Sequence, residues 1–137
     1  MIKGIAHAAF SVADMDESLK FYCGALGLRR AFDIKDDCGN PWIVYIQAAR
    51  GQFIELFHNG VKSEAESDGR LAGYKHLCLE VDDIFAIASQ IKESGYPLLH
   101  EPNRGKDLNY QCWAADPDGN RIEFMQMDPG SPQMKAF

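Results

Sequence analysis

A chain of 137 residues, 46% apolar and 25% charged, can bury roughly two thirds of the surface its unfolded form exposes, which argues against disorder and against any need for disulfide staples. Its net charge of −6 disfavours nucleic acid and anionic membranes as partners, because both recruit basic surface. Cys23, Cys38, Cys78 and Cys112 are scattered without a CxxC pair and no secretory leader opens the chain, so buried thiols in a reducing compartment, by default the cytoplasm, are expected. No apolar run approaches the roughly 20 residues of a spanning helix, and a soluble protein is expected.

The first element is an alternating segment, "HAAFSV" from His7, which reads as a half-buried strand. A helix follows, with Asp14 or Ser18 as cap, Leu19, Phe21, Tyr22 and Leu26 at helical spacing, and Gly27 as its stop. Three β-prone stretches come next, clearest at "PWIVYIQA" and "FIELFH", with a turn at Arg50-Gly51. Residues 60 to 73 are polar and read as a linker between a first module, 1–59, and a second, 74–127. The second module repeats the order. "HLCLEV" is its strand, and Asp83 caps a helix striped with Ile84, Ile87, Ala88 and Ile91 that ends at Gly95 and Pro97. The strands "NYQCWAA" and "NRIEFMQ" flank the Pro117-Asp118-Gly119 turn, and residues 128–137 read as a loose tail.

The two modules are copies. A shift of 68 or 69 positions carries His7 onto His76, Val12-Ala13-Asp14 onto Val81-Asp82-Asp83, Gly27 onto Gly95, Gly51 onto Gly119 and Glu55 onto Glu123. The expected fold class is therefore α+β, with two tandem βαβββ modules forming curved mixed sheets around a metal-binding cup.

Alternation puts His7, Ala9 and Ser11 on one face of their strand and Ala8, Phe10 and Val12 on the other, which packs the helix. By the same rule His76, Cys78 and Glu80 share a face, Glu55 sides with Phe53 and Phe57, and Glu123 sides with Arg121 and Met125. A lone histidine or glutamate in a strand is more often solvent-facing than metal-bound. Four at equivalent positions of two repeats, 48 and 47 residues apart within each half, are better read as ligands of one divalent ion. Two imidazoles and two carboxylates suit nickel, cobalt, manganese, iron(II) or zinc, whereas calcium would want more oxygens. On a six-coordinate ion they leave two adjacent positions at which a substrate with neighbouring oxygens can chelate.

These residues resemble the vicinal oxygen chelate superfamily, and within it the short bacterial glyoxalase I type. The stretch "HAAFSVADMDESLKFYCGALGL" is similar to that family's opening signature, with Ala8 and Glu17 departing from its commonest choices, and "DPDGNRIEF" is similar to the closing one. The resemblance implies His7, Glu55, His76 and Glu123 as the metal ligands, with nickel or cobalt favoured where histidine comes first. It implies a homodimer whose sites are shared, His7 and Glu55 of one subunit meeting His76 and Glu123 of the other. It further implies a lactoylglutathione lyase-like lyase/isomerase that moves a proton on a metal-chelated hemithioacetal of a 2-oxoaldehyde and a thiol, or a related α-hydroxycarbonyl compound, through an enediolate. Glu123 is then the leading general base, with Glu55 able to serve from the opposite face. Glutathione or another thiol would be the co-substrate, and Asn59, Arg104 and Lys106 are the matching candidates for substrate contact. Ser11 stands where an arginine is usual, and Arg70 is displaced from the family's arginine before the third ligand.

Other members suggest other chemistries. An epimerase resembling methylmalonyl-CoA epimerase would favour a glutamine at position 55. An extradiol dioxygenase would use two histidines and one carboxylate, and a further carboxylate would crowd out oxygen. A metal-free drug-binding module lined by Trp42, Tyr45, Phe53, Tyr110 and Trp113 would not retain the four ligands; such aromatics are in any case more often core than contact. Cys78 and Cys112 are read as inert thiols rather than nucleophiles.

Overall fold

The period-two alternation of the apolar residues is realised as two mixed sheets of four strands each, in a computed structural model that describes residues 1–62 and 72–136. The chain divides into two units, Met1–Leu71 and Ala72–Phe137. In the first, β1 (His7–Ser11), β2 (Arg29–Lys35), β3 (Pro41–Ala49) and β4 (Gln52–Phe57) are arranged β1-β4-β3-β2. In the second, β5 (Leu77–Glu80), β6 (Leu98–Arg104), β7 (Tyr110–Ala115) and β8 (Arg121–Gln126) are arranged β5-β8-β7-β6. The outer strand of each sheet, β1 or β5, pairs in parallel with the last strand of its module, and the remaining neighbours are antiparallel. This is the βαβββ order, twice.

One face of each sheet is oily and carries the helix. In the first unit Phe10, Val44, Ile46, Ile54 and Leu56 are buried with Phe21, Tyr22 and Ala25. In the second, Cys112, Ala114, Ile122 and Phe124 are buried with Ile84, Ala88 and Ile91. Each fully buried aliphatic or aromatic side chain contributes roughly 1.5–3 kcal/mol to folding, which is what fixes the strand register against a one-residue slip.

The helices start alike and end differently. Asp83 caps α2 (Ile84–Glu93) by accepting the backbone N–H groups of Phe85 and Ala86 at 2.9 and 3.0 Å. Asp14 caps α1 (Met15–Leu19) by accepting one, from Glu17 at 3.1 Å. Ser18 is not a cap: it is buried one turn in, its hydroxyl donating to the Asp14 carbonyl at 3.0 Å. From Lys20 to Ala25 the helix widens into a π-helical stretch, in which the Leu26 N–H reaches back to the Phe21 carbonyl at 3.0 Å. The wider turn lets Phe21, Tyr22, Ala25 and Leu26 all face the core. Gly27 then ends the helix at φ 71°, where a β-carbon would be strained.

Two other expectations differ from the structure. Residues 128–136 are not loose: Asp128 accepts the Gly130 N–H at 2.7 Å, the Ser131 hydroxyl accepts the Met134 N–H at 3.1 Å, and Met134–Ala136 forms a 3-10 turn. The buried Asn109 side chain ties this segment down by accepting the Asp128 N–H at 2.9 Å. Of the four cysteines only Cys112 is buried; Cys23 is half-buried, and Cys38 and Cys78 are exposed. Cys38 sits in an Asp36–Asn40 turn, and Cys78 lies on the polar face of its strand, so small apolar character alone did not carry them inward. Among the described residues no helix is long and apolar enough to cross a membrane.

Candidate metal centre

The face opposite the helix carries the polar residues. In the first unit, β1 and β4 lie side by side with Ala9 opposite Glu55 and His7 opposite Phe53, so His7 and Glu55 are diagonal neighbours. His7 Nδ1 is 3.3 Å from Glu55 Oε1. The carboxylate is buried, at 7% side-chain exposure, while His7 keeps 48%. Directly across the β3–β4 hairpin, Tyr45 faces Glu55 and donates its hydroxyl to that carboxylate, a bond that, ahead of burial, holds the Tyr45 phenol above its ordinary range.

The second unit repeats the arrangement with different supporting residues. His76 Nε2 is 2.9 Å from Glu123 Oε2, and Glu123 is again buried, at 7% against 29% for His76. Cys78 faces Glu123 from β5 and Trp113 faces it from β7. Although Cys78 is exposed as a residue, desolvation at its sulfur first, and then the Glu123 carboxylate through its charge and as hydrogen-bond acceptor, push the thiol up to about 12. Such a thiol is not a nucleophile near neutral pH, in keeping with its reading as inert. Trp113 meets the His76 ring edge-on at 4.7 Å and lies beneath the Arg121 guanidinium at 5.1 Å.

Each unit thus joins one imidazole to one buried carboxylate, and no group of three or more metal-type donors forms among the described residues. The donor chemistry fits a divalent ion. Two atoms each about 2.1 Å from an ion at right angles are about 3 Å apart, and the His–Glu separations of 2.9 and 3.3 Å match that spacing. His76 Nδ1, on the other side of the ring from the nitrogen that meets Glu123, is buried without a hydrogen-bond partner among the described residues.

The residues expected to contact substrate lie in turns and at a strand end. Asn59 is exposed at φ 65° in the turn after β4, a left-handed position that asparagine tolerates. Its neighbour Gly60 donates to the Val12 carbonyl at 2.9 Å, and a β-carbon there would meet the Ser11 and Val12 backbone at 2.9 Å. Arg104 ends β6 rather than lying in a loop; it donates to the Leu108 carbonyl at 2.9 Å and pairs with Asp128 at 3.1 Å. Lys106 is exposed in the turn that follows. Arg70 lies outside the described residues.

Tyr45 is the member of the site that sequence reasoning passed over as a core aromatic. The hairpin carried the signal: Tyr45 and Glu55 are equidistant from Arg50 in the turn, as Trp113 and Glu123 are from Asp118, so each pair faces across its hairpin.

Residues 4–124 match the model of the glyoxalase/bleomycin resistance protein/dioxygenase superfamily. Over 131 residues the chain is 31% identical to the lactoylglutathione lyase of Haemophilus influenzae, covering 89% of this chain and 91% of that one. It is 29% identical over 126 residues to a probable lactoylglutathione lyase of Synechocystis, covering 89% and 94%. Among solved structures, lactoylglutathione lyase from Agrobacterium tumefaciens superposes with a TM-score of 0.67 at 22% identity, covering 91% of this chain and 94% of that one. A glyoxalase family protein from Enterococcus faecalis reaches a TM-score of 0.76 at 20% identity, covering 90% and 97%. The tandem βαβββ fold and the match along nearly the whole chain agree, and the protein belongs to the glyoxalase/bleomycin resistance protein/dioxygenase superfamily.

Proposed function

We propose that the protein is a divalent-metal-dependent isomerase of the glyoxalase I type, acting on the hemithioacetal of a 2-oxoaldehyde and a thiol. The observation that supports this most is the pair of His–Glu couples, His7–Glu55 and His76–Glu123, on the polar faces of two copies of one module. The relatives named lactoylglutathione lyase point to the same reaction. One ion would be held by four donors, the His7–Glu55 couple of one chain and the His76–Glu123 couple of its partner in a homodimer. Histidine at position 7 favours nickel or cobalt over zinc.

A bound divalent ion supplies Lewis acidity that acidifies a C–H flanked by two chelated oxygens. The chain's own part is to hold and move the proton. Glu123 accepts the proton from the carbon bearing the sulfur and returns it to the neighbouring carbon, while the hydroxyl proton of the first carbon passes to the oxygen of the second. The hemithioacetal becomes a 2-hydroxyacyl thioester with no net oxidation. A carboxylate bound to a cation would be a weak base, so Glu123 would serve as the base only where it is free of the ion. Arg104 and Lys106 remain candidates for holding an acidic thiol co-substrate such as glutathione, and for Arg104 that role requires release from Asp128.

The test is turnover of the methylglyoxal–glutathione hemithioacetal after reconstitution with nickel, cobalt, zinc or manganese. Thioester formation that is fastest with nickel or cobalt is the expected result. An intact bound ion without turnover would move the substrate elsewhere in the superfamily.

A further inference from the structure

Glu55 and Glu123 hold the same place in their modules, yet the residues facing them across the hairpins differ. Tyr45 pairs with Glu55 and Trp113 pairs with Glu123. The Tyr45 ring is fixed on two sides. Phe32 stacks on it with centroids 4.3 Å apart and 19° between the planes, and Phe53 meets it edge-on at 6.0 Å. A ring held in this way delivers its hydroxyl to one place, the buried Glu55 carboxylate. A phenol bonded to a carboxylate is a strong, charge-assisted donor. Trp113 has no hydroxyl, and its ring is occupied by His76 and Arg121. Glu123 receives the thiol of Cys78 instead, a weak donor.

We propose that Tyr45 is a positioning residue that clamps Glu55 in one orientation as the permanent carboxylate ligand, so that Glu123, faced by tryptophan, is the carboxylate that leaves the ion and carries the proton. The inference rests on the metal centre proposed above. It assigns the two glutamates different tasks from their surroundings, although the repeat gives them identical positions.

Tyr45→Phe removes the hydroxyl and keeps the aromatic stack. Cobalt(II) affinity, measured by competition with a chromophoric chelator, is expected to fall about tenfold or more, as loss of an outer partner of a ligand does. The visible absorption of the cobalt protein should shift, and the melting temperature of the metal-free protein should fall only by what one lost hydrogen bond to a buried carboxylate costs, since the aromatic stack is kept. Wild-type protein that takes up no cobalt overturns the metal centre and the clamp with it. Wild-type protein that binds, beside a variant of equal affinity and spectrum, overturns the clamp alone. An affinity loss with an unshifted cobalt spectrum also overturns it, because Tyr45 would then act through packing and not on the ligand.

Discussion

The two units have the same strand order and the same oily face, and they differ in what surrounds the buried glutamate. In Met1–Leu71 the carboxylate of Glu55 meets an exposed histidine and a tyrosine hydroxyl, with Ala9 beside it. In Ala72–Phe137 the carboxylate of Glu123 meets a more enclosed histidine and a thiol, with a tryptophan opposite it across the hairpin. Duplication supplied two equivalent acid–imidazole couples, and substitutions at three neighbouring positions, Tyr45 against Trp113, Ala9 against Cys78 and Phe53 against Arg121, made them chemically unequal. The lesson is that a repeat fixes where a donor sits, while its cross-strand neighbours set what that donor does.

The largest expected effect comes from exchanging the acids one at a time. Glu123→Gln should lower turnover about 10³-fold, within the range for loss of a general base, with metal still bound. Glu55→Gln should show itself first as weaker metal binding, with turnover partly restored by excess metal. Equal kinetic and binding losses in both variants would erase the distinction between the halves.

Next come the two cores. Ile54 and Ile122 are equivalent and both buried, so alanine at either should cost roughly 2–5 kcal/mol in urea unfolding. Similar losses are expected, since the oily faces are built alike; a much smaller loss in one unit would mean that its core yields to fill the cavity. The helix caps should differ more. Asp83 accepts two backbone N–H groups and Asp14 one, so Asp83→Ala should cost about 1 kcal/mol and Asp14→Ala less.

The smallest effect is electrostatic and belongs to the first unit. The Arg30 hydrogen bond holds the Asp33 carboxyl below its ordinary range. A depressed acid stabilises the fold above its unfolded pKa, and the contribution is lost as pH falls through the folded value. Both side chains are about half exposed, so Asp33→Asn should cost under about 1 kcal/mol at pH 7 and nothing at low pH. Unfolding curves across that range check the sign.

Much of this was legible in the sequence because it depends on period-two alternation and on duplication. His7, Glu55, His76 and Glu123 emerge on the polar faces because Phe10, Ile54, Leu56, Ile122 and Phe124 are drawn to the other. The legible part ends where local rules give way to pairing. The π-helical stretch at Lys20–Ala25 is set by the need to bury Phe21, Tyr22, Ala25 and Leu26 together, which helical spacing alone does not announce. The order in residues 128–136 depends on Asn109, nineteen residues before Asp128. The match of Asn59 to a substrate contact rested on position in a motif, and the backbone gives that asparagine a conformational reason to be there.

The most direct test of the central claim is the metal content of purified protein after loading with nickel or cobalt and removal of free ion, read by mass spectrometry together with the oligomeric state. About one tightly held ion per chain, lost in His76→Ala and in Glu55→Ala, is the predicted result, as expected when deprotonated ligands converge on one centre. Protein that retains no ion with any of nickel, cobalt, zinc or manganese would contradict it.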